Sequence, residues 1–203
     1  MIALIDYGMG NLLSVAKALQ SVGAEIAIVD NAAAIERANS VVLPGVGHFK
    51  DGMAHLRERG LADAVLSAIS AGKPFLGICL GMQMLMEGSE EAPGVPGLGI
   101  FKGQVVRFPK NSAEKVPHMG WNSISIKAPS CPCLKGVPED SYFYFVHSYY
   151  PAPETPEVTL AACEYIVPFA AIIGRDNVFA TQFHPEKSQD KGLTILRNFV
   201  SLP

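Results

Sequence analysis

The sequence has few charged residues and no concentration of charge of one sign. Charged residues make up 17% of the 203 residues, and 16 basic against 19 acidic side chains leave a net charge of −3. No run of Lys and Arg offers the positively charged footprint that nucleic-acid binding usually requires. The apolar runs are also far shorter than the roughly 20 residues that span a bilayer. These absences argue against a nucleic-acid-binding protein and against a membrane protein.

Cysteine is scarce as well. Four cysteines, without the features of a secretion signal, favour free thiols in a reducing cytoplasm. The first residues, MIALIDYGMGN, lack a charged leader and a long apolar stretch, and they predict a strand that runs into a glycine turn. Hydrophobic residues make up 49% of the chain, a composition typical of globular proteins. We therefore expect a globular, cytoplasmic protein.

Short apolar runs alternate with helix-like stretches in the first half of the chain. Strands are predicted at residues 2–5, 25–29, 40–43 and 75–78, and helices at 11–22, 61–71 and 80–87. Strands that are apolar on both faces and alternate with helices are typical of a parallel sheet covered on both sides.

The second half of the chain has a different pattern, with strand-like segments joined by Pro- and Gly-rich connections. Strands are predicted at residues 104–108, 122–127, 142–147, 158–163, 170–174 and 178–183, and a final helix at 189–202. Hairpins are therefore expected here. No repeat and no long linker divides the sequence. The prediction is a single α/β domain over residues 1–203, with a mostly parallel mixed sheet, flanking helices and added antiparallel strands.

Gly77-Ile78-Cys79-Leu80-Gly81 lies between a predicted strand and a helix-like stretch. This pattern is typical of a nucleophile elbow, in which a tight turn lifts the nucleophile above the sheet edge. Glycines flank the nucleophile because side chains there would clash. The following helix N-terminus favours a thiolate, and the elbow is expected to leave the Leu80 N–H free for an oxyanion. The alternative is a buried structural cysteine.

A cysteine nucleophile needs a base, and Phe183-His184-Pro185-Glu186 follows the last predicted strand. The residue before a proline favours extended backbone, in which residues two apart project to the same side. Glu186 is thus placed to orient His184 toward Cys79. His147 and His48 are alternatives, but neither has this neighbouring carboxylate.

Two glycine loops and a cysteine pair complete the candidate features. Pro44-Gly45-Val46-Gly47 follows a predicted strand, so its backbone is a candidate second oxyanion donor, the alternative being an ordinary turn. Gly8-Met9-Gly10 suggests dinucleotide binding only weakly, because Leu13 replaces the third glycine of that motif. Cys131-Pro132-Cys133 lacks a second ligand pair at zinc-like spacing and is interpreted as a loop.

Taken together, these segments resemble the class I (triad) glutamine amidotransferases. Cys79-Leu80-Gly81-Met82-Gln83 is similar to their nucleophile motif, and Gln182-Phe183-His184-Pro185-Glu186 to their His/Glu motif. Within the family, the likeness is greatest to the glutaminase subunits of imidazole glycerol phosphate synthase. The distinguishing segments are residues 6–11, 44–47, 117–122 and 143–149. The likeness covers almost the full length and implies a flavodoxin-like fold.

The resemblance implies roles for individual residues. Cys79 would be the nucleophile, His184 the base and acid, and Glu186 its orienter. The oxyanion would be held by the N–H groups of Val46 and Leu80. The remaining implied positions are substrate contacts at Gly47, Gln83, Glu91, Ser148 and Tyr149, and partner contacts at Asn11, Met119, Trp121 and Lys187. The implied partner is a (β/α)₈-barrel cyclase, the substrate is L-glutamine, and no metal or organic cofactor is needed.

Three alternative functions follow from the same residues. A triad glutaminase can instead serve the synthesis of pyridoxal phosphate or anthranilate, with the same chemistry and another partner. A non-catalytic regulatory module can retain the fold. A cysteine hydrolase can act on a different amide or ester. Trp121 also has an alternative interpretation as a core residue, since large aromatic side chains are usually buried.

Overall fold

The computed structural model describes residues 1–110 and 114–203. Six α-helices lie in these ranges: α1 (Leu12–Ser21), α2 (Ala32–Arg37), α3 (Phe49–Glu58), α4 (Leu61–Ser70), α5 (Leu80–Gln83) and α6 (Gln189–Val200). Three 3-10 turns are formed by Pro132–Leu134, Pro156–Val158 and Pro185–Lys187. No helix of the described part of the chain is long and apolar enough to cross a membrane.

The strands of the described residues form three sheets. They are β1 (Ile2–Ile5), β2 (Ile26–Val29), β3 (Ser40–Leu43), β4 (Phe75–Ile78), β5 (Met86–Ser89), β6 (Phe101–Arg107), β7 (His118–Ser123), β8 (Ser125–Ile126), β9 (Tyr142–His147), β10 (Tyr149–Pro153), β11 (Thr159–Tyr165), β12 (Val167–Arg175) and β13 (Val178–Thr181). The main sheet has the order β2-β1-β3-β4-β13-β12-β11-β8, a second sheet the order β10-β6-β5, and β7 pairs with β9.

The main sheet is parallel in its first five strands and antiparallel beyond them. Strands β2, β1, β3, β4 and β13 run parallel to one another, whereas β12, β11 and β8 continue the sheet in antiparallel pairs. This is the predicted mixed α/β fold. Because carboxyl ends of parallel strands meet at one edge, the segments after β1, β3, β4 and β13 converge there.

Side chains of the parallel strands alternate between two apolar layers, as the period of a strand requires. On β1, Ala3 and Ile5 pack into one layer, while Ile2 and Leu4 pack into the other. The first layer is covered by α2, α3 and α4, and the second by α1 and α6. Burial on both faces explains why these strands have no polar side of their own.

The predicted helix at residues 80–87 is wrong in its second half. Helix α5 ends at Gln83, and the chain then forms β5. The reason is tertiary, because the carbonyl of Leu85 accepts hydrogen bonds from the N–H groups of Ile100 and Phe101, at 2.9 and 3.1 Å. The carbonyl of Glu87 accepts from Gly97 at 2.8 Å. These carbonyls are therefore bonded to a neighbouring segment instead of continuing the helix.

Other elements were missed or displaced. Strand β10 was not predicted because Pro151 and Pro153 are unusual in strands, and it tolerates them as the edge of its sheet. Helices α2 and α3 were also missed. In α3, Gly52 weakens the helical pattern, but a Cβ there would lie 3.0 Å from Leu80 Cδ2, so close packing on α5 requires it. The strand predicted at 122–127 is divided between β7 and β8.

Candidate active site

The elbow after β4 holds Cys79 in a backbone conformation that few non-glycine residues adopt. Its φ and ψ angles are 55° and −107°, and strain of this kind is concentrated at functional sites. A Cβ on Gly81 would lie 2.0 Å from the carbonyl oxygen of Leu43, and one on Gly77 would lie 3.0 Å from the backbone of residue 81. Both flanking glycines are therefore required sterically, as the sequence analysis expected.

His184 and Glu186 follow β13 at the same edge of the sheet. The His184 Nδ1 atom lies 2.8 Å from Glu186 Oε1, and both side chains are almost fully buried, with exposed fractions of 3% and 1%. The turn is fixed because the His184 N–H donates to the carbonyl of Tyr144 and Ser188 Oγ donates to the His184 carbonyl. Because the Nδ1–H group donates a hydrogen bond to the carboxylate, the other nitrogen, Nε2, is free to face another group.

The second nitrogen of His184 faces the sulfur of Cys79. Burial lowers the pKa of His184, but contacts with the Cys79 sulfur and with Glu186 outweigh it and raise the pKa to about 10. Its Nε2 is buried and has no hydrogen-bond partner within the described residues. These contacts favour the protonated imidazole beside the sulfur, and Nε2 is available to a bound molecule.

The two predicted oxyanion donors are near Cys79, but one of them is occupied. The Leu80 N–H was expected to be free, but in this structure it donates to the carbonyl of Gly45 at 3.3 Å. A Cβ on Gly45 would lie 2.9 Å from the Leu80 Cβ, so the loop after β3 is pressed against the elbow. The bond exists because glycine at position 45 permits this approach.

A cavity of about 300 Å³ opens above the sulfur. All the predicted oxyanion and substrate residues line it, together with Cys79 and His184; they are Val46, Gly47, Leu80, Gln83, Glu91, Ser148 and Tyr149. Pro117, Val146 and His147 complete the wall. The Glu91 carboxylate accepts a hydrogen bond from the Phe49 N–H at 2.7 Å, which holds it at the first turn of α3. The cavity combines a thiol, an imidazole, a carboxylate and a side-chain amide.

The two histidines considered as alternative bases, His48 and His147, make other contacts. His48 begins α3, where its Nδ1 accepts from the Lys50 N–H, and its side chain is 46% exposed. His147 is buried and hydrogen-bonded to His118 and to the carbonyl of Tyr149. Neither has the carboxylate contact of His184, so the geometry favours His184 as the partner of Cys79.

Two buried polar residues around the sulfur, Gln182 and Tyr7, had no predicted role, and a third, His147, was considered only as an alternative base. Gln182 Nε2 lies 3.7 Å from Cys79 Sγ. Tyr7 is fully buried, its hydroxyl has no hydrogen-bond partner within the described residues, and burial together with the nearby Cys79 raises the pKa of Tyr7. His147 lines the cavity. A signal for Gln182 and Tyr7 was their position within two residues of the ends of buried strands at this edge.

Comparison with known proteins agrees with this geometry. The family model described as glutamine amidotransferase class-I matches residues 3–202. The chain belongs to this family. It is 52% identical over 206 residues to the imidazole glycerol phosphate synthase subunit HisH of Geobacillus thermodenitrificans, with 100% of the chain and 96% of the relative covered. It is 50% identical to the HisH subunit of Acinetobacter baylyi, covering 98% and 97%.

Solved structures of amidotransferases share the fold. PurLQS from Thermotoga maritima matches with a TM-score of 0.77 at 18% identity, covering 98% of this chain and 96% of that one. The glutaminase domain of Trypanosoma brucei CTPS matches with a TM-score of 0.71 at 17% identity, covering 97% and 91%. At such identities the likeness concerns the fold alone, and it establishes the class I amidotransferase architecture for this chain.

The four predicted partner-contact residues are exposed. Met119 and Trp121 on β7 are 63% and 46% exposed, so Trp121 is not a core residue. The Trp121 ring packs edge-on against Tyr144, and Lys187 Nζ lies 5.8 Å from the centre of the same Tyr144 ring. Asn11 begins α1, where its side chain accepts from the Ser14 N–H. Leu13 on α1 is also exposed, at 69%.

The Cys131-Pro132-Cys133 segment lies apart from the site. Residues 132–134 form a 3-10 turn, Cys133 is buried and both cysteines are free thiols. Asn198 Nδ2 donates to the carbonyl of Cys133 at 3.0 Å, which fixes the turn to α6. The segment thus has a packing role against the final helix.

Proposed function

We propose that this chain is the glutaminase subunit of imidazole glycerol phosphate synthase. In this function it hydrolyses glutamine to glutamate and ammonia and passes the ammonia to a cyclase subunit, in histidine biosynthesis. The observation that carries the chemistry is His184, which lies between the Glu186 carboxylate and the Cys79 sulfur at the base of a cavity. The HisH relatives at about 50% identity over the full length support the pathway.

The first chemical step is attack by Cys79 on the side-chain amide of glutamine. Protonated His184 stabilises the thiolate, and Glu186 holds the imidazole in the orientation that directs Nε2 toward the sulfur. The sulfur forms a bond to the amide carbon, and the carbonyl oxygen becomes an oxyanion. The N–H groups of Leu80 and Val46 are the proposed donors to this oxyanion.

Collapse of the tetrahedral intermediate releases ammonia. His184 transfers its Nε2 proton to the departing nitrogen as the carbon–nitrogen bond breaks, and a glutamyl thioester remains on Cys79. Neutral His184 then removes a proton from water, which attacks the thioester carbon. The carbon–sulfur bond breaks, glutamate leaves, and the thiolate and the protonated imidazole are restored.

The substrate contacts follow from the cavity wall. We infer that the Glu91 carboxylate pairs with the α-amino group of glutamine, because it is the acidic side chain in the lining and is only partly exposed. Gly47, Gln83, Ser148 and Tyr149 would hold the remaining polar groups of the substrate. Backbone and amide groups suit this task because they form hydrogen bonds with a zwitterion without removing a proton from its ammonium group.

The hydrogen bond between Leu80 and Gly45 supports a regulated oxyanion hole. While the Gly45 carbonyl accepts the Leu80 N–H, that donor is unavailable to the substrate. Reversal of the peptide between residues 45 and 46 would release it and turn the Val46 N–H toward the sulfur. The flanking glycines permit such a change, and Gly47 has a φ of 102°. Structures with an unchanged loop in the presence and absence of the cyclase ligand would contradict this regulation.

The partner is proposed to bind the apolar surface beside the triad. Ammonia released into water at neutral pH becomes ammonium, which is not a nucleophile, so a shielded route to the cyclase is required. The proposed contacts are the exposed residues Asn11, Met119, Trp121 and Lys187, and a (β/α)₈-barrel cyclase is the proposed occupant. Exposed Met and Trp side chains are typical of protein interfaces.

Glutamate release by the purified chain tests the function directly. The rate is measured alone, with the cyclase subunit, and with the cyclase and its phosphoribulosyl aminoimidazole-carboxamide acceptor. Strong stimulation by both together is expected, and Cys79→Ala should abolish it without preventing assembly. If the cyclase does not change the rate of turnover, the chain serves a different partner. Absence of turnover in every condition would refute the glutaminase function.

A further inference from the structure

Two buried side-chain amides, those of Gln83 and Gln182, form a hydrogen-bonded chain that leads to the sulfur of Cys79. Gln182 is fully buried, and its Nε2 lies 3.7 Å from Cys79 Sγ. Its Oε1 accepts a hydrogen bond from Gln83 Nε2 at 3.1 Å. The Gln83 Nε2 also donates to the carbonyl of Tyr149 at 2.9 Å. A glutamine side chain is rarely buried completely, so this one has a specific task.

The direction of these hydrogen bonds is fixed by the group at the far end. The backbone carbonyl of Tyr149 can only accept, so the Gln83 group that faces it must be the NH₂. The same NH₂ faces Gln182, which must therefore present its oxygen there. This leaves the NH₂ of Gln182 directed at Cys79, and the reversed orientation would place two oxygens or two NH₂ groups in contact.

The Tyr149 carbonyl is itself held by a second buried donor. His147 Nδ1 lies 2.9 Å from it, which makes Nδ1 the protonated nitrogen of His147. His147 Nε2 then accepts from His118 Nδ1 at 3.1 Å. Both rings are neutral near pH 7 because burial lowers the pKa of His118 to about 4 and that of His147 to about 3. The tautomers along the chain are consequently determined.

We propose that Gln182 is a further catalytic residue, whose side-chain N–H donates a hydrogen bond to the Cys79 thiolate. An amide suits this position because it cannot give up its proton and so never converts the nucleophile to a thiol. His184 loses its proton when ammonia leaves, and the sulfur must still accept the electron pair of the breaking thioester. His184 regains a proton only from the attacking water, whereas the Gln182 N–H faces the sulfur throughout the cycle. The substrate identity rests on the proposed function, but the contact with the sulfur does not.

Alkylation of Cys79 measures this contact without any glutamine turnover. The rate of iodoacetamide modification is followed from pH 5 to 9 by mass spectrometry of the peptide that contains Cys79. In Gln182→Met, which keeps the length but cannot donate, the midpoint of the profile should rise by about one pH unit. Below the midpoint the rate should fall about tenfold. The turnover number of the complex should fall while KM for glutamine changes little.

Two further variants separate donation from packing. Gln182→Glu has the same shape and still accepts from Gln83, but it places a carboxylate against the sulfur, so its upward shift should be at least as large. Gln20→Glu on the exposed side of α1 is the matched control and should leave the profile unchanged. An unchanged midpoint in folded Gln182→Met and Gln182→Glu would overturn the proposal.

A measurement on the unmodified side chain covers the case in which the buried variants do not fold. The side-chain NH₂ resonances of Gln182 should titrate with the alkylation midpoint in the wild type and should be pH-independent in Cys79→Ala. Resonances that do not respond to the sulfur would also overturn the proposal. Failure of the proposed function would look different, because the alkylation profile would be retained while the cyclase and its ligand would not stimulate glutamine hydrolysis.

Discussion

Acidification should unfold this protein through the two buried histidines of the hydrogen-bond chain. His118 and His147 are 4% and 6% exposed. Burial lowers their pKa values to about 4 and about 3, respectively, and the neighbouring charge of His184 adds to the effect on His147. In the unfolded chain both should titrate near their ordinary value of about 6.5. Below this pH the unfolded state therefore binds protons that the folded state does not.

The sign and the magnitude follow from this difference. Because the unfolded state binds more protons, stability is complete above about pH 6.5 and is lost as the pH falls toward 4. Each histidine contributes a slope of about 1.4 kcal/mol per pH unit over about 1.5 units between pH 6.5 and 5, which is about 2 kcal/mol. Protonation of the two histidines in the unfolded chain should thus lower the free energy of unfolding by about 4 kcal/mol between pH 6.5 and 5. This is a large share of the total stability of a typical protein.

Urea denaturation at pH 7, 6 and 5 measures this loss, with His147→Gln as the comparison. Glutamine can still donate to the Tyr149 carbonyl but has no proton to gain, so about half of the pH dependence should disappear. His184 and the carboxylates titrate in both proteins and cancel in the difference. Parallel pH dependences of the wild type and His147→Gln would refute the reasoning, since a buried neutral histidine must produce a difference.

Three other perturbations test the site. Cys79→Ala should abolish synthesis from glutamine in the complex but preserve synthesis from added ammonium salt, and a product assay with either nitrogen source would show this. Loss of both activities would mean that the role of Cys79 is not confined to glutamine hydrolysis. Glu186→Gln removes one of the two contacts that raise the pKa of His184, so the alkaline limb of the pH–rate profile should move to lower pH. Gly81→Ala puts a Cβ 2.0 Å from the Leu43 carbonyl and should lower the free energy of unfolding in urea by about 3 kcal/mol, more than Gly77→Ala, whose nearest contact is 3.0 Å.

The buried parallel strands were the most predictable part of the fold. β1, β3 and β4 have the predicted bounds, because each is a short apolar run that glycine, proline or polar residues terminate. The local pattern failed at β5, where the carbonyls of residues 85 and 87 bond to the segment near residue 100. It also failed at β10, where prolines occupy an edge strand. In both places a partner distant in sequence decides the structure.

The candidate site also has features that the sequence predicted and features that it did not. The approach of His184 to Cys79 followed from strand ends that share one edge, and the flanking glycines followed from the tight turn. The bond from Leu80 to Gly45 did not, since it depends on how two loops pack. The contacts of Gln182 and His147 depend on the pairing of β7 with β9 and on side chains about 100 residues apart. No short motif contains that information.

Several buried polar atoms near Cys79 have no hydrogen-bond partner within the described residues. Within the described residues, three of the four such side-chain atoms, Tyr7 Oη, His184 Nε2 and Glu186 Oε2, lie on the residues around Cys79; the fourth is His55 Nδ1. A buried polar group that lacks a hydrogen bond costs about 1–3 kcal/mol, so the arrangement opposes folding. Folded proteins accept such costs mainly at functional sites. In the proposed mechanism His184 Nε2 gains its partner as ammonia leaves. The unused hydrogen-bonding capacity is then available to stabilise the charge that develops during the reaction.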